Sequence, residues 1–479
     1  MRKTLISTLY DIFCFHFKDT RQCYVFGIIL TAIMASILVV TPRVFEVLEN
    51  DSVGYISFSS IRSATYPLIL RSFQQMGADL ETVIAFQCII FILSFGSGII
   101  MILRSGVPLI IASGLAIGLS FNIYFNAFHF SILTESFSFS LFLLLTGVFA
   151  LLVKQITLFR ISVLFLILGV LFTLKPAALP IIISAALSIG ILFWQKKTVH
   201  LKKYLAMSLI LLLTPICLEN IAYSFFHKER ASLLPIHLYG KSAIVTALSS
   251  GVIPPTVTKA DLEDEWISYS QDVKSYLVSI EKQEPLCLKF ERIGDYENYA
   301  YWHLNYHDFA KNGFTSKQIF EETLRQNLFG FIKLVAINRA NFLCVSTPIT
   351  NLKIEDTKPL LKESAFGPEA RYSVIYYVFL IFGFTHIIAI IYYLAQFASY
   401  LFRKEKKLKF QDQLAAHLLV WAEGYLWFVA LFSITNPRYL MLVFPLMLLA
   451  VGLFLQQRFI QLLKPFRSLP QRDNAKTSH

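Results

Sequence analysis

Charge is what this sequence has least of. Only 15% of its 479 residues are Asp, Glu, Lys or Arg, whereas 56% are hydrophobic. A soluble chain of this length and composition would expose too much apolar surface to stay dispersed, which excludes the soluble globular classes. Cysteine is also sparse. The six cysteines show no CxxC or other metal-ligand spacing. Cys14, Cys23, Cys88 and Cys217 lie in or beside apolar runs and read as small core residues. Cys287 and Cys344 lie in the one long polar segment, where a disulfide between them is open. A nucleotide-binding loop is missing too: Gly240-Lys241-Ser242 has Pro235 where the upstream glycine belongs. No internal repeat is visible, so the inverted-repeat signature of many transporters is absent. Arg2 and Lys3 precede the first apolar run, but that run starts near Cys23, is long, and lacks a small-residue cleavage site.

What the chain does have is a series of runs of about 20 apolar residues, each long enough to cross a bilayer. The hydropathy predicts ten: 23–42, 83–103, 106–126, 132–153, 159–174, 178–195, 204–226, 372–402, 413–434 and 438–456. Backbone polar groups in lipid must be bonded internally, so these runs are helices. The expected fold is an all-α polytopic membrane protein of about ten transmembrane helices with an external, mostly helical subdomain. Its parts would be an N-terminal transmembrane module over 1–226, the external subdomain over 227–371, and a C-terminal transmembrane module with a basic tail over 372–479. "LLPIHLYGKSAIVTALSS" and "FGFIKLVAINRANFLCV" read as helices lying at the membrane surface, because each is apolar but interrupted by charge.

The net charge of +12 invites a nucleic-acid reading, but its distribution argues against one. Lys196, Lys197, Lys202 and Lys203, then Arg403 to Lys409, then Arg458, Lys464, Arg467 and Arg472, fall in short segments on one side of the spans. This is the positive-inside pattern, and it places both termini in the cytoplasm. The expected location is a bacterial inner membrane, with no nucleic-acid partner.

Four stretches at the opposite, external ends of the helices carry polar residues where apolar ones would cost less. The first runs from Asp51 through Arg62 to Tyr66-Pro67. The second is "ILTESFSF", with Glu135. The third is "LFTLKPAAL", with Lys175. The fourth is "TNPRYLM", with Arg438 and Tyr439. Ionisable groups near membrane depth are expensive and mark functional sites by default. Three cations and two carboxylates facing one compartment suit a phosphate-bearing ligand and a general base. Blander roles stay open. Asp51 could cap a helix or sit in solvent, Glu135 could cap its own helix, and Arg62, Lys175 and Arg438 could anchor in the headgroup layer.

Taken in order and on one side, these stretches resemble the GT-C superfamily of polytopic glycosyltransferases, which includes protein O-mannosyltransferases and lipid A aminoarabinose transferases. The resemblance rests on Asp51 in the first external loop, Arg62 followed by "YPLIL" from Tyr66, Thr134-Glu135, Lys175-Pro176, and Arg438-Tyr439 with Pro445 downstream. It covers the membrane half, 20–226 and 413–456. It implies transfer of a sugar from a polyprenyl-phosphate donor to a lipid or glycan acceptor, with inversion. It further implies Asp51 and Glu135 as the catalytic carboxylates, with Arg62, Tyr66, Lys175, Arg438 and Tyr439 at the donor phosphate. The implied partners are donor, acceptor and surrounding lipid; oligomeric state is open. Asp51 is followed by Ser52, Val53 and Gly54 rather than a second acid, so a divalent metal is not favoured and no cofactor is assigned.

Two other readings fit parts of the sequence. An O-antigen ligase or polymerase would place its chemistry on His303, His307 and Arg325 of the external segment. His303 and His307 sit at i, i+4 with Asp308 alongside, but lack the Glu of a zinc-protease motif. A transporter or flippase would need ionisable residues deep in the spans. Only Glu219 and Glu423 are acidic candidates, and neither shows an obvious cationic partner in sequence.

Overall fold

The computed structural model describes residues 8, 10–41, 47–48, 50–196, 201–226, 234–248, 264, 266–268, 271, 275, 316–342, 374–403, 409–432 and 437–467. Among them every regular element is helical. In chain order these are α1 (Thr20–Val40), α2 (Asn50–Ile56), α3 (Thr65–Gln75), α4 (Leu80–Ser105), α5 (Leu109–Ser120) and α6 (Ile123–Ala127). A 3-10 turn (Phe128–Phe130) leads to α7 (Glu135–Lys154) and α8 (Leu158–Leu174). A second 3-10 turn (Pro176–Ala178) leads to α9 (Leu179–Lys196) and α10 (Leu201–Phe226). Then come α11 (Leu234–Leu248), α12 (Ser316–Asn341), α13 (Val374–Arg403), α14 (Phe410–Phe432) and α15 (Pro437–Arg467).

Among the described residues seven helices are long and apolar enough to cross a membrane: α1, α4, α7, α9 with its preceding turn, α10, α14 and α15. Of the other three expected spans, 106–126 and 159–174 fall on the shorter apolar helices Leu109–Ser120 and Leu158–Leu174, and 372–402 falls on α13 (Val374–Arg403), which includes the apolar stretch Ile381–Gln396. Local chemistry fixes several of these boundaries. Asp19 caps α1 by accepting from Arg21 N, Asp79 caps α4 by accepting from Thr82 N, and Thr157 caps α8. At the far end of α4, Gly106 takes a φ of 97°, the left-handed C-cap that favours glycine. Asn122 caps α6, and Asn126 donates to the Ser120 carbonyl at 2.7 Å, so the chain turns where the hydropathy pattern continues.

The core lies between α4, α7, α14 and α15. Phe91, Phe95, Phe125, Phe139, Phe142, Phe149, Trp421 and Tyr425 are all fully buried in it. Helices that share lipid as solvent gain little from hydrophobicity alone, so close backbone approach matters more. Gly98 of α4 and Gly147 of α7 supply it. A Cβ on Gly98 would lie 2.9 Å from the Leu143 carbonyl oxygen, and one on Gly147 would lie 2.9 Å from the Gly98 oxygen. A similar contact joins α8 to α10, where a Cβ on Gly169 would lie 2.6 Å from Leu212 O.

The two apolar stretches of the long polar segment are helical, as α11 and α12, and pack on each other. Their shared cluster includes Ala243, Ile244, Ile319, Leu334 and Val335, and reaches Ala430 of α14. Lys241 and Asn338 are fully buried there. Cys287, Cys344, His303 and His307 lie outside the described residues.

Candidate functional site

The structure gathers the four polar stretches into one chain of contacts. It begins on α2, a two-turn helix with Asp51 in its first turn. Asp51 Oδ1 accepts a 2.6 Å hydrogen bond from Arg62 Nη2. Gly54 makes room for this reach: a Cβ there would lie 3.0 Å from Arg62 Nε. The chain reverses after α2 through Phe58, whose φ of 52° is unusual for a non-glycine residue. Ser59 N donates to the Gly54 carbonyl and Arg62 N to the Ser59 carbonyl, which brings Arg62 back over α2.

Tyr55 is the next link. It stands one turn beyond Asp51, beneath Arg62, whose guanidinium carbon lies 4.7 Å from the ring centre. Its ring meets Tyr66 edge-on at 5.2 Å, and its hydroxyl lies 3.4 Å from Thr134 Oγ1. Burial, reinforced by the negative charge of Glu135, pushes the Tyr55 phenol up to about 12. Tyr66 is fully buried and donates to Gln87 Oε1 at 2.6 Å. Gln87 in turn donates to the carbonyls of Ser131 and His129. Burial raises the Tyr66 phenol far above its ordinary range, so it serves as a neutral donor.

Thr134 passes the contact to Glu135, donating to its Oε2 at 3.4 Å. Glu135 opens α7, where a carboxylate also benefits from the helix dipole. Its Oε1 accepts from Lys175 Nζ at 2.6 Å. Only 2% of the Glu135 side chain and 10% of the Lys175 side chain are exposed. Pro176 cannot continue α8, so Lys175 is left at the break with its nitrogen still bonded to the Leu171 carbonyl. Lys175 Nζ also lies 5.1 Å from the centre of the Tyr439 ring, in the first turn of α15. The Arg438 side chain lies outside the described residues.

Asp51, Arg62, Tyr66, Glu135, Lys175 and Tyr439 therefore belong to one network. Arg62 and Lys175, which the resemblance puts at a donor phosphate, are each bonded to a carboxylate. Sequence reasoning also missed Tyr55 and Gln87, which join the motifs. Tyr55 at i+4 from Asp51 was the only available signal, because Gln87 sits inside an apolar helix.

Two further groups hold the site in place. Glu219 of α10 accepts from Ala64 N at 2.8 Å, and Tyr223 one turn on donates to the Ser60 carbonyl at 2.6 Å. Together they tie down the loop that carries Arg62. His129 is fully buried, stacked on Phe91 at 3.7 Å and hydrogen-bonded to Ser136 Oγ at 2.8 Å. Burial pushes its pKa down to about 3, so the ring is neutral.

Glu423, which lacked a cationic partner in the sequence reading, has one in the structure: Arg339 of α12 donates to both of its oxygens. His386 Nε2 of α13 lies 2.7 Å from Oε1. Glu219 and Glu423 are thus both committed to internal contacts. No group of three or more potential metal ligands occurs among the described residues. Searches against protein-family models, curated proteins and solved structures find no match to this chain.

Proposed function

We propose that this chain is a membrane glycosyltransferase of the GT-C type, taking a sugar from a polyprenyl-phosphate carrier on the external side of a bacterial inner membrane. The observation that carries the reading is the convergence of four stretches, far apart in sequence, on a network built from two carboxylate–cation pairs and three tyrosines. Fold chemistry alone does not require polar groups from four separate stretches to meet.

In this reading the chain crosses the membrane about ten times, α5, α8 and α13 completing the set. The donor phosphate sits near Lys175 and Tyr439, with Arg62 and Arg438 adding positive charge. Asp51, the more exposed of the two acids at 27% against 2%, takes the proton of the acceptor hydroxyl. The acceptor oxygen bonds to the anomeric carbon as the carbon–oxygen bond to the phosphate breaks. The electron pair leaves with the phosphate, and the cations offset the charge that develops there. Lys175 shares itself between Glu135 and the phosphate, so Glu135 sets how strongly it is drawn to the donor.

The test is to incubate purified protein with a panel of polyprenyl-phosphate sugars and to measure donor loss. No turnover of any donor by folded protein would count against the reading. Reporter fusions test the sidedness on which it depends. Fusions at Lys197 and Lys406 should report cytoplasm, and one near Asp272 the external side; a cytoplasmic signal near Asp272 overturns the site.

A further inference from the structure

The end of the bundle opposite Glu135 carries a second concentration of charge that the proposed chemistry does not use. Helix α7 runs from Glu135 to Lys154, about 30 Å at the usual rise. At its far end three helices each contribute a cation: Arg104 in the last turn of α4, Lys154 at the end of α7, and Arg160 at the start of α8. Lys154 Nζ donates to the Arg104 carbonyl at 2.7 Å. Arg160 Nη1 donates to the carbonyls of Leu151 and Gln155 at 2.8 and 2.7 Å. Arg104 Nη1 donates to the Tyr24 hydroxyl of α1 at 3.1 Å.

The side-chain hydrogen bonds of Arg104 and Arg160 thus go to neutral oxygens, and among the described residues neither has a carboxylate partner. The two are close enough that the charge of Arg104 acts on Arg160. Arg104 and Lys154 both act on Cys23. The one acid that also reaches Cys23 is Asp19, which is occupied capping α1 at Arg21 N. Arg104 and Arg160 therefore bring two guanidinium charges to this end of the bundle with no carboxylate bonded to either among the described residues, and Lys154 adds an ammonium beside Arg104.

Beside this cluster the surface is apolar. Tyr24, Val25 and Ile28 of α1 are 43%, 60% and 62% exposed, and Phe159, next to Arg160, is 77% exposed. Their helices are apolar along their length. A free anion would satisfy only the charge, whereas a phospholipid satisfies both the charge and the apolar strip. We propose that this cluster is a binding site for an anionic phospholipid. Its phosphate would meet the guanidinium groups of Arg104 and Arg160 and the ammonium of Lys154, and its acyl chains would run along Tyr24, Val25 and Ile28. The bond of Arg160 to two helix-end carbonyls fixes the guanidinium in advance, so little freedom is lost when it takes a phosphate oxygen. The anion offsets the repulsion that the helix ends otherwise bear.

The experiment uses the full purified chain in detergent, with native mass spectrometry counting bound lipid. Phosphatidylglycerol, phosphatidylcholine with the same acyl chains, and inorganic phosphate are titrated in separate arms. The wild type should retain phosphatidylglycerol over phosphatidylcholine by about tenfold, as expected for the attraction of clustered basic residues to an anionic headgroup. Arg104→Gln, at an exposed side chain, should remove most of that preference while leaving the melting temperature near wild type. Arg160→Lys should weaken it less. Lys317→Gln, at an exposed cation of α12, should leave it intact. Equal retention of the two lipids overturns the site, as does wild-type retention by Arg104→Gln. Displacement of the bound lipid by millimolar inorganic phosphate would reassign the cluster to a free anion. None of these readouts depends on glycosyl transfer.

Discussion

Two ion pairs in this protein share a contact distance of 2.6 Å and little else. Asp51 and Arg62 keep 27% and 15% of their side chains exposed, whereas Glu135 and Lys175 keep 2% and 10%. Water screens the first pair, so its net contribution to stability is small. The second pair has lost nearly all of its hydration, and each partner depends on the other to offset that loss. The same geometry therefore serves different ends. The exposed pair holds a carboxylate in place where a reactant can reach it. The buried pair fixes the break after α8 against the start of α7, and it tolerates no unilateral change.

The sharpest way to break this contrast is to neutralise one member of each pair. Glu135→Gln leaves a buried ammonium without its partner and should cost about 3–5 kcal/mol of stability, measured as a fall in the detergent melting temperature. Glu135→Gln combined with Lys175→Met should recover most of that loss, because an apolar pair of similar volume needs no hydration. If the double variant is no better than the single, the pair is not the buried unit described. Asp51→Asn should change stability by less than about 1 kcal/mol. It should instead lower turnover of a polyprenyl-phosphate sugar by about 10²-fold or more, the scale for losing general-base help. Wild-type turnover would make Asp51 a surface residue and pass the role of base to Glu135.

A smaller effect sharpens the contrast by pH. The folded-state pKa of His129 is about 3, below the ordinary 6.5, because burial favours the neutral ring. Its contribution to stability is complete above about 6.5 and fades as pH falls toward 3. Between pH 7.5 and pH 5 the wild type should lose about 2 kcal/mol that a His129→Gln variant, already weaker at pH 7.5, does not lose. Parallel melting curves for the two proteins would remove His129 from the account. Smallest of all should be Tyr55→Phe. Its hydroxyl bond to Thr134 is long, at 3.4 Å, so its loss should cost no more than about 1 kcal/mol, again read by melting.

How much of this was legible in the sequence depends on distance along the chain. The seven long apolar helices follow from composition, because a bilayer admits few other structures for such runs. The polar residues that interrupt them stand out for the same reason, so Asp51, Glu135 and Lys175 were visible as candidates. Their pairings were not. Arg62 meets Asp51 only because Phe58 takes a left-handed turn and Glu219, 155 residues away, holds Ala64. Lys175 meets Glu135 across 40 residues, through a helix break whose direction no local pattern specifies. Glu423 seemed to stand alone because its partners arrive from two other helices, α12 and α13. The boundary at Glu135 was also hidden. The hydropathy carries a helix from 132, but Ser131 to Thr134 are spent in a turn that brings the Thr134 hydroxyl to Tyr55.

The contact between Gly98 and Gly147 bears on motion. At Gly98 and Gly147 the backbones of α4 and α7 meet with little between them to deform, so the two helices should move together as one rod. Gln87 and Glu135 ride on opposite members of that rod, so Tyr66 and Lys175 are referred to a common frame. If the chain transfers sugar as proposed, the opening that admits a lipid-borne donor comes from sliding elsewhere, at helices that rest on the rod through side chains. On that reading a covalent tie between α4 and α7 should be silent, whereas one between α7 and α15 should slow turnover.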